Sequence, residues 1–288
     1  MKKGTILSFA FLLVFGLLLA ACGSSQSSNG SGGNSSDNSK ANSDGGSGKV
    51  ILVGADTTFP PFETQDANGN ITGFDIEMIK DIAKAEGFKV KLKPMQFDGI
   101  IPALQGGSID AAVAGITIKK DRMKHVNFSN AYYKSGLSIL VKKDSDISGV
   151  DSLKGHLIGT KKGTSSVSYL EQNGFNVSKN VKQYKNISEA YAALESGGVD
   201  AVLFDNPPNI NFANQHDDVK LVGGLLTGEY YGIAVTKKNQ DLLKKINDGL
   251  AKIKKNGEYK KLFKKYLGGD MNGFVKGVKK PEKVAVTD

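Results

Sequence analysis

Arg122 is the only arginine in a chain of 288 residues whose other long basic side chains are all lysine. It follows shortly after Ala111-Ala112-Val113-Ala114-Gly115, an apolar run that reads as a buried strand ending in glycine. Strand C-termini in α/β sheets open onto the ligand crevice, and a guanidinium grips a carboxylate with two parallel hydrogen bonds. Arg122 is therefore placed to hold a carboxylate. An arginine on a surface helix is the other reading, and composition leaves both open.

An internal echo supplies the opposite charge. Ala103-Leu104-Gln105-Gly106-Gly107-Ser108-Ile109-Asp110-Ala111 is answered ninety positions later by Ala193-Leu194-Glu195-Ser196-Gly197-Gly198-Val199-Asp200-Ala201. Each is a helix end, a glycine turn and a strand. One such unit per half implies two similarly built lobes rather than one large sheet. At that offset Gly115 corresponds to Asp205, so each lobe presents a polar feature at an equivalent strand end, facing the other across a cleft.

Turnover chemistry finds no support. His125, His156 and His216 lie in unrelated contexts without metal-ligand spacing, Gly163-Thr164-Ser165-Ser166 is no nucleophile elbow, and no phosphate loop ending Gly-Lys-Ser/Thr occurs. Gly163 to Ser166 opens a helix running to about Asn173-Gly174. Its free N–H groups could take an anion, but capping by Thr164 or Ser165 is the expectation. No cofactor and no metal is implied.

The elements that must position these groups follow from pattern. Val50 to Ala55 is an apolar strand, which puts Asp56 and Phe59 at its C-terminal end. Ile76, Ile79, Ile82 and Ala83 recur at helical spacing, with Asp75 as the expected N-cap and Gly87 as the stop. Val90 and Leu92 alternate with lysines in a strand that delivers Phe97 to the same rim. Ser138 to Lys142 and Leu157 to Thr160 read as strands. Tyr230-Tyr231 mirrors Tyr132-Tyr133, and two such crossings make a hinge. Helices over Gln240 to Lys254 and Tyr259 to Tyr266 return to the first lobe, and the tail after Gly268 has no evident partner.

Lys93-Pro94-Met95 with Phe97, Gly99-Ile100-Ile101-Pro102-Ala103-Leu104-Gln105, Ala114-Gly115-Ile116-Thr117-Ile118, Arg122 and Tyr132-Tyr133-Lys134-Ser135-Gly136 closely resemble the amino-acid-binding members of the bacterial extracellular solute-binding family, above all its glutamine binders. The resemblance extends more thinly from about Val50 to Gly268. It implies an α/β, two-lobe, type II periplasmic-binding-protein-like fold, with lobe 1 built from 49–133 and 231–270, lobe 2 from 134–230, and a tail over 271–288. It also implies a ligand-binding role for Asp56, Phe59, Phe97, Gly115, Thr117, Arg122, Lys161, Thr164, Ser165 and Asp205.

In that assignment Arg122 and the backbone N–H groups of Thr117 and Ser165 take an α-carboxylate. Asp205, the Thr117 hydroxyl and the Gly115 carbonyl take the α-ammonium. Phe59 and Phe97 sandwich the methylenes, and Asp56 with Lys161 meets a side-chain amide. Ser165 stands where glutamine binders have glycine, and Phe204 where glutamine-specific relatives have histidine. The second departure leaves another polar or basic amino acid open beside glutamine. The implied partners are a free amino acid and the membrane subunits of an ABC importer. An enzyme on the same fold, similar to the cyclohexadienyl dehydratases, and a sensory ligand-binding lobe are the alternatives.

The ends of the chain point the same way. Lys2 and Lys3 precede an apolar run from Ile6 to Ala20 ending in Leu19-Ala20-Ala21-Cys22, a secretion signal over 1–21 whose cysteine, the only one present, is expected to be acylated. Residues 22–48, rich in Ser, Gly and Asn, cannot offset the entropy of ordering and read as a tether with a reach of roughly 25 to 30 Å. A monomer held by lipid on the extracellular face of the cell membrane is expected. The formal charge of +9 falls to +7 when Lys2 and Lys3 leave. The excess lies in the C-terminal helices as a solvated face, without the interleaved aromatics or recognition helix of a nucleic-acid binder.

Overall fold

The structure, a computed structural model, describes residues 49–268 and 273–287. The expected leader, Cys22 and the tether lie outside the described residues. Two five-stranded sheets organise what is described. In the first the spatial order is Lys89–Pro94, Val50–Ala55, Ala111–Val113, Ala234–Thr236, Val126–Phe128; in the second it is Val181–Tyr184, Ile158–Lys161, Ala201–Asp205, Leu137–Lys142, Val219–Val222. Each sheet has three parallel strands followed by antiparallel partners. This is the two-lobe α/β architecture expected from sequence.

The ninety-residue echo is visible in the sheets. Ala111–Val113 and Ala201–Asp205 hold the third place in their respective sheets. Asp110 Oδ2 accepts from Leu52 N at 2.8 Å, and Asp200 Oδ2 accepts from Leu157 N at 2.8 Å. The echoed aspartate thus does one job twice: it satisfies a backbone donor on the neighbouring strand that the sheet ladder leaves over.

The chain crosses between the sheets at Tyr133–Ser135 and returns at Glu229–Tyr231, two strands paired antiparallel with Tyr231 opposite Tyr133. Rings converge here: Tyr231 stacks on Tyr133 at 5.5 Å, and Phe62 meets Tyr133 edge-on at 5.0 Å. Helices Gln240–Lys255 and Glu258–Leu267 pack on the helix Phe74–Glu86 through buried Leu242, Ile246, Leu250, Tyr259 and Phe263.

Two expectations are corrected. Asp75 does not cap the helix that begins at Phe74. Gly73 stands at the N-cap, and the N–H groups of Phe74 and Asp75 are taken by the carbonyls of Pro61 and Phe62. No side-chain cap is needed, so the carboxylate turns inward. Gly73 is required, because a Cβ there would lie 2.1 Å from the Phe62 carbonyl oxygen.

The tail, read as unpartnered, instead lies along the first lobe and the crossing. Lys134 N donates to Gly273 O, Ala131 N to Lys279 O, Lys120 N to Val286 O, and Val286 N to Ile118 O. Phe274 packs on Tyr259 and Phe263 at 5.1 and 5.4 Å.

Candidate ligand-binding site

The C-terminal ends of strands from the two sheets face one another, and all ten sequence-derived residues line one small, nearly closed hollow, together with Ala114 and Phe204. At one end Asp56, which follows Val50–Ala55, is ion-paired with Lys161, the last residue of Ile158–Lys161 in the other sheet. Both side chains are buried. Lys161 Nζ also donates to Thr58 Oγ1 at 2.9 Å, and the second carboxylate oxygen of Asp56 accepts from Thr58 N and Oγ1. Such a pair is tolerable in a dry site because Thr58 adds hydrogen bonds to both partners.

Phe59, Phe97 and Phe204 form the walls. Phe59 meets Phe204 edge-on at 5.7 Å, and the Arg122 guanidinium lies 5.2 Å from the centre of the Phe97 ring, within cation–π range. Phe204, noted in the sequence for lacking a polar group, is part of the apolar wall. Gly115 must be glycine: its φ is +51°, and a Cβ would lie 2.3 Å from the Phe59 ring.

Arg122 spans the gap between lobes. Nη1 donates to Thr117 O at 2.9 Å, and Nη2 to Gly163 O at 3.1 Å. The helix Ser165–Gln172 starts beside it, and here the capping expectation is overturned. Thr164 makes no side-chain cap; its hydroxyl donates to Lys161 O at 2.6 Å instead, which ties the turn to the preceding strand.

Asp205 closes the opposite side. Tyr231 donates to its Oδ2 at 2.5 Å, whereas Oδ1 is buried and meets no donor among the described residues. Burial, with the nearby negative charge of Glu229 adding to it, pushes the Asp205 carboxyl up to about 8. A buried acceptor without a partner, beside a carboxylate, is matched by a cationic donor.

Three carboxylates near this site were not among the sequence candidates. Glu229 is buried in the returning strand and accepts from Thr117 Oγ1 at 2.8 Å and Ser165 Oγ at 2.9 Å. Asp75 Oδ2 accepts from Gly115 N at 3.0 Å and Tyr132 Oη at 2.6 Å. Glu63, fully buried, is held well above the usual carboxylate range by burial and by Asp75. Elsewhere His216 pairs with Glu195 at 2.9 Å and stacks on Phe212, with Asp218 nearby.

The model of bacterial extracellular solute-binding proteins, family 3, matches residues 51–269. The glutamine-binding protein GlnH of Bacillus subtilis is 38% identical over 276 residues, covering 94% of this chain and 99% of the relative. The L-cystine-binding protein TcyJ of Escherichia coli is 34% identical over 225 residues, 77% of this chain and 84% of the relative. Among solved structures, an ancestral arginine-binding protein is 45% identical both bound to arginine (TM-score 0.73, 77% of this chain, 100% of that one) and bound to glutamine (TM-score 0.71, 76% and 98%). Among the described residues no helix is long and apolar enough to cross a membrane.

Proposed function

Because the chain belongs to family 3 of the bacterial extracellular solute-binding proteins, we propose that it captures L-glutamine between its two lobes and hands it to an ABC importer without chemically altering it. Acylated Cys22 would hold it at the extracellular face of the cell membrane. The observation that carries this reading is the buried, unpartnered Oδ1 of Asp205 in the same hollow as the guanidinium of Arg122. A zwitterion satisfies both: its ammonium docks on Asp205 and the Gly115 carbonyl. Its carboxylate takes Arg122 and the N–H groups of Thr117 and Ser165.

Specificity follows from the other end. The Asp56–Lys161 pair offers one acceptor and one donor, the complement of a carboxamide. A cationic side chain there would meet Lys161 at close range, a cost no neutral amide bears. Phe59 and Phe97 cover the methylenes at about 25 cal/mol per Å² of apolar surface removed from water. L-arginine is the second reading, favoured by the likeness to the ancestral arginine-binding protein. It requires Asp56 to leave Lys161 for the guanidinium.

Ligand bridging both lobes favours the closed form by its differential affinity for that form. The importer then reads closure. A thermal-shift screen of the twenty amino acids tests the proposal, since a ligand present at about 1,000 times its Kd adds about 4 kcal/mol to native-state stability. L-glutamine is expected to give the largest shift. A larger shift with L-arginine would overturn the specificity, and no shift with any amino acid would overturn capture. Loss of added prephenate or arogenate on incubation would instead assign an enzyme.

A further inference from the structure

Glu229 lies just behind the ligand hollow. Thr117, from the first lobe, and Ser165, from the start of the lobe 2 helix, both donate their hydroxyl hydrogens to one oxygen of this carboxylate. The other oxygen accepts from Thr227 Oγ1 at 3.2 Å. Glu229 itself sits in the returning crossing strand, opposite Ser135. A single buried carboxylate on the hinge therefore gathers one hydroxyl from each lobe, and both donors line the hollow.

A hydroxyl has one hydrogen and two lone pairs. With its hydrogen committed to Glu229, each oxygen can only accept from what enters the hollow. Resting on the amino-acid reading above, we propose that Glu229 is a positioning residue for the ligand's ammonium group, turning Thr117 and Ser165 into obligate acceptors and so making the α-amino group a requirement for tight binding. Ser165 supplies the second arm of this arrangement. Sites whose buried polar groups are arranged for one substrate group reject the analogue lacking it strongly.

The test is calorimetric titration of the intact protein with L-glutamine and L-arginine and with their desamino analogues, glutaramic acid and 5-guanidinopentanoic acid. The wild type is expected to prefer the amino acid that it binds over its desamino counterpart by at least about 1,000-fold. Glu229→Met frees both hydroxyls to reorient and is expected to cut that ratio at least about tenfold, mainly through weaker binding of the amino acid. Glu229→Gln, which keeps an acceptor oxygen, should restore most of it.

Ser165→Gly removes one arm, leaves the backbone N–H, and should lower the ratio about threefold; it carries the test if the methionine variant does not fold. An unchanged ratio in a folded Glu229→Met or Ser165→Gly protein overturns the inference and leaves amino-acid capture standing. A wild type that binds neither amino acid overturns the capture reading beneath it.

Discussion

Two aspartates of this molecule are chemical twins in different surroundings. Asp75 and Asp205 are both buried, each accepts on Oδ2 from the hydroxyl of a crossing tyrosine, Tyr132 and Tyr231 respectively, and each has an Oδ1 that meets no donor among the described residues. Burial raises both carboxyls. The difference is what the second oxygen faces. That of Asp75 is sealed beside Glu63, whose carboxyl is held well above the usual range by burial and by Asp75 itself, and its Oδ2 steadies Gly115. Asp205 lines the hollow. On the proposed function, Asp75 is structural because the protein closes off its spare oxygen, and Asp205 is ligand-binding because its spare oxygen is left to a solute.

Replacing each twin breaks the comparison most severely. Asp205→Ala is expected to abolish amino-acid binding, at least about 1,000-fold by calorimetry, because the ligand's ammonium is left desolvated and unpaired. It should leave the fold intact. Asp75→Ala should do the reverse, lowering unfolding free energy in urea by about 3 kcal/mol by stranding Gly115 N–H and Tyr132 Oη, with roughly tenfold weaker binding through Gly115. Equal loss of binding from both, with equal stability, would dissolve the distinction.

Protonation sharpens it next. Asp205 faces Tyr231 and Glu229 on the returning strand, Arg122 from lobe 1 and Lys161 from lobe 2. Its folded-state carboxyl, near 8, is above its unfolded value. Its contribution to stability is therefore fully present at acid pH and is lost as pH rises toward 8. Asp205→Asn should then raise the melting temperature of the ligand-free protein by about 5 °C at pH 8.5 and much less at pH 4. In the wild type an arriving ammonium requires the ionised carboxylate, so binding should release up to one proton at pH 7, and affinity should climb between pH 6 and 8. Titration in buffers of different ionisation heat measures the proton; none released would remove the account of Asp205.

The smallest effect is expected at the cleft rim. Lys162 and Asp98 pair at 2.9 Å across the lobes, with side chains 60% and 35% exposed. Asp98→Asn should shift affinity by less than about 1 kcal/mol and less still in high salt. A larger shift would move the closing energy from the buried floor to the rim.

The sequence offered those candidates for the site that strand ends deliver. Asp56, Gly115 and Asp205 stand at or next to strand ends, Arg122 is compositionally singular, and family likeness supplied the remaining assignments, Lys161 among them. What escaped was whatever depends on pairing at long range. Thr117 and Glu229 are 112 positions apart, and no local period marks a carboxylate destined to gather hydroxyls from two lobes. Asp75 looked like a helix cap because its position fits one; only the Pro61 and Phe62 carbonyls reveal that the cap was superfluous. The tail was unreadable because a few apolar residues among lysines become an anchor only where Tyr259 and Phe263 are already assembled.

A crystal structure with L-glutamine soaked or grown in tests the central claim most directly. The account predicts one zwitterion with its ammonium nitrogen about 3 Å from Asp205 Oδ1 and its carboxylate paired with the Arg122 guanidinium. Ligand density that touches residues of one lobe alone, or that leaves Asp205 Oδ1 without a donor, would contradict it.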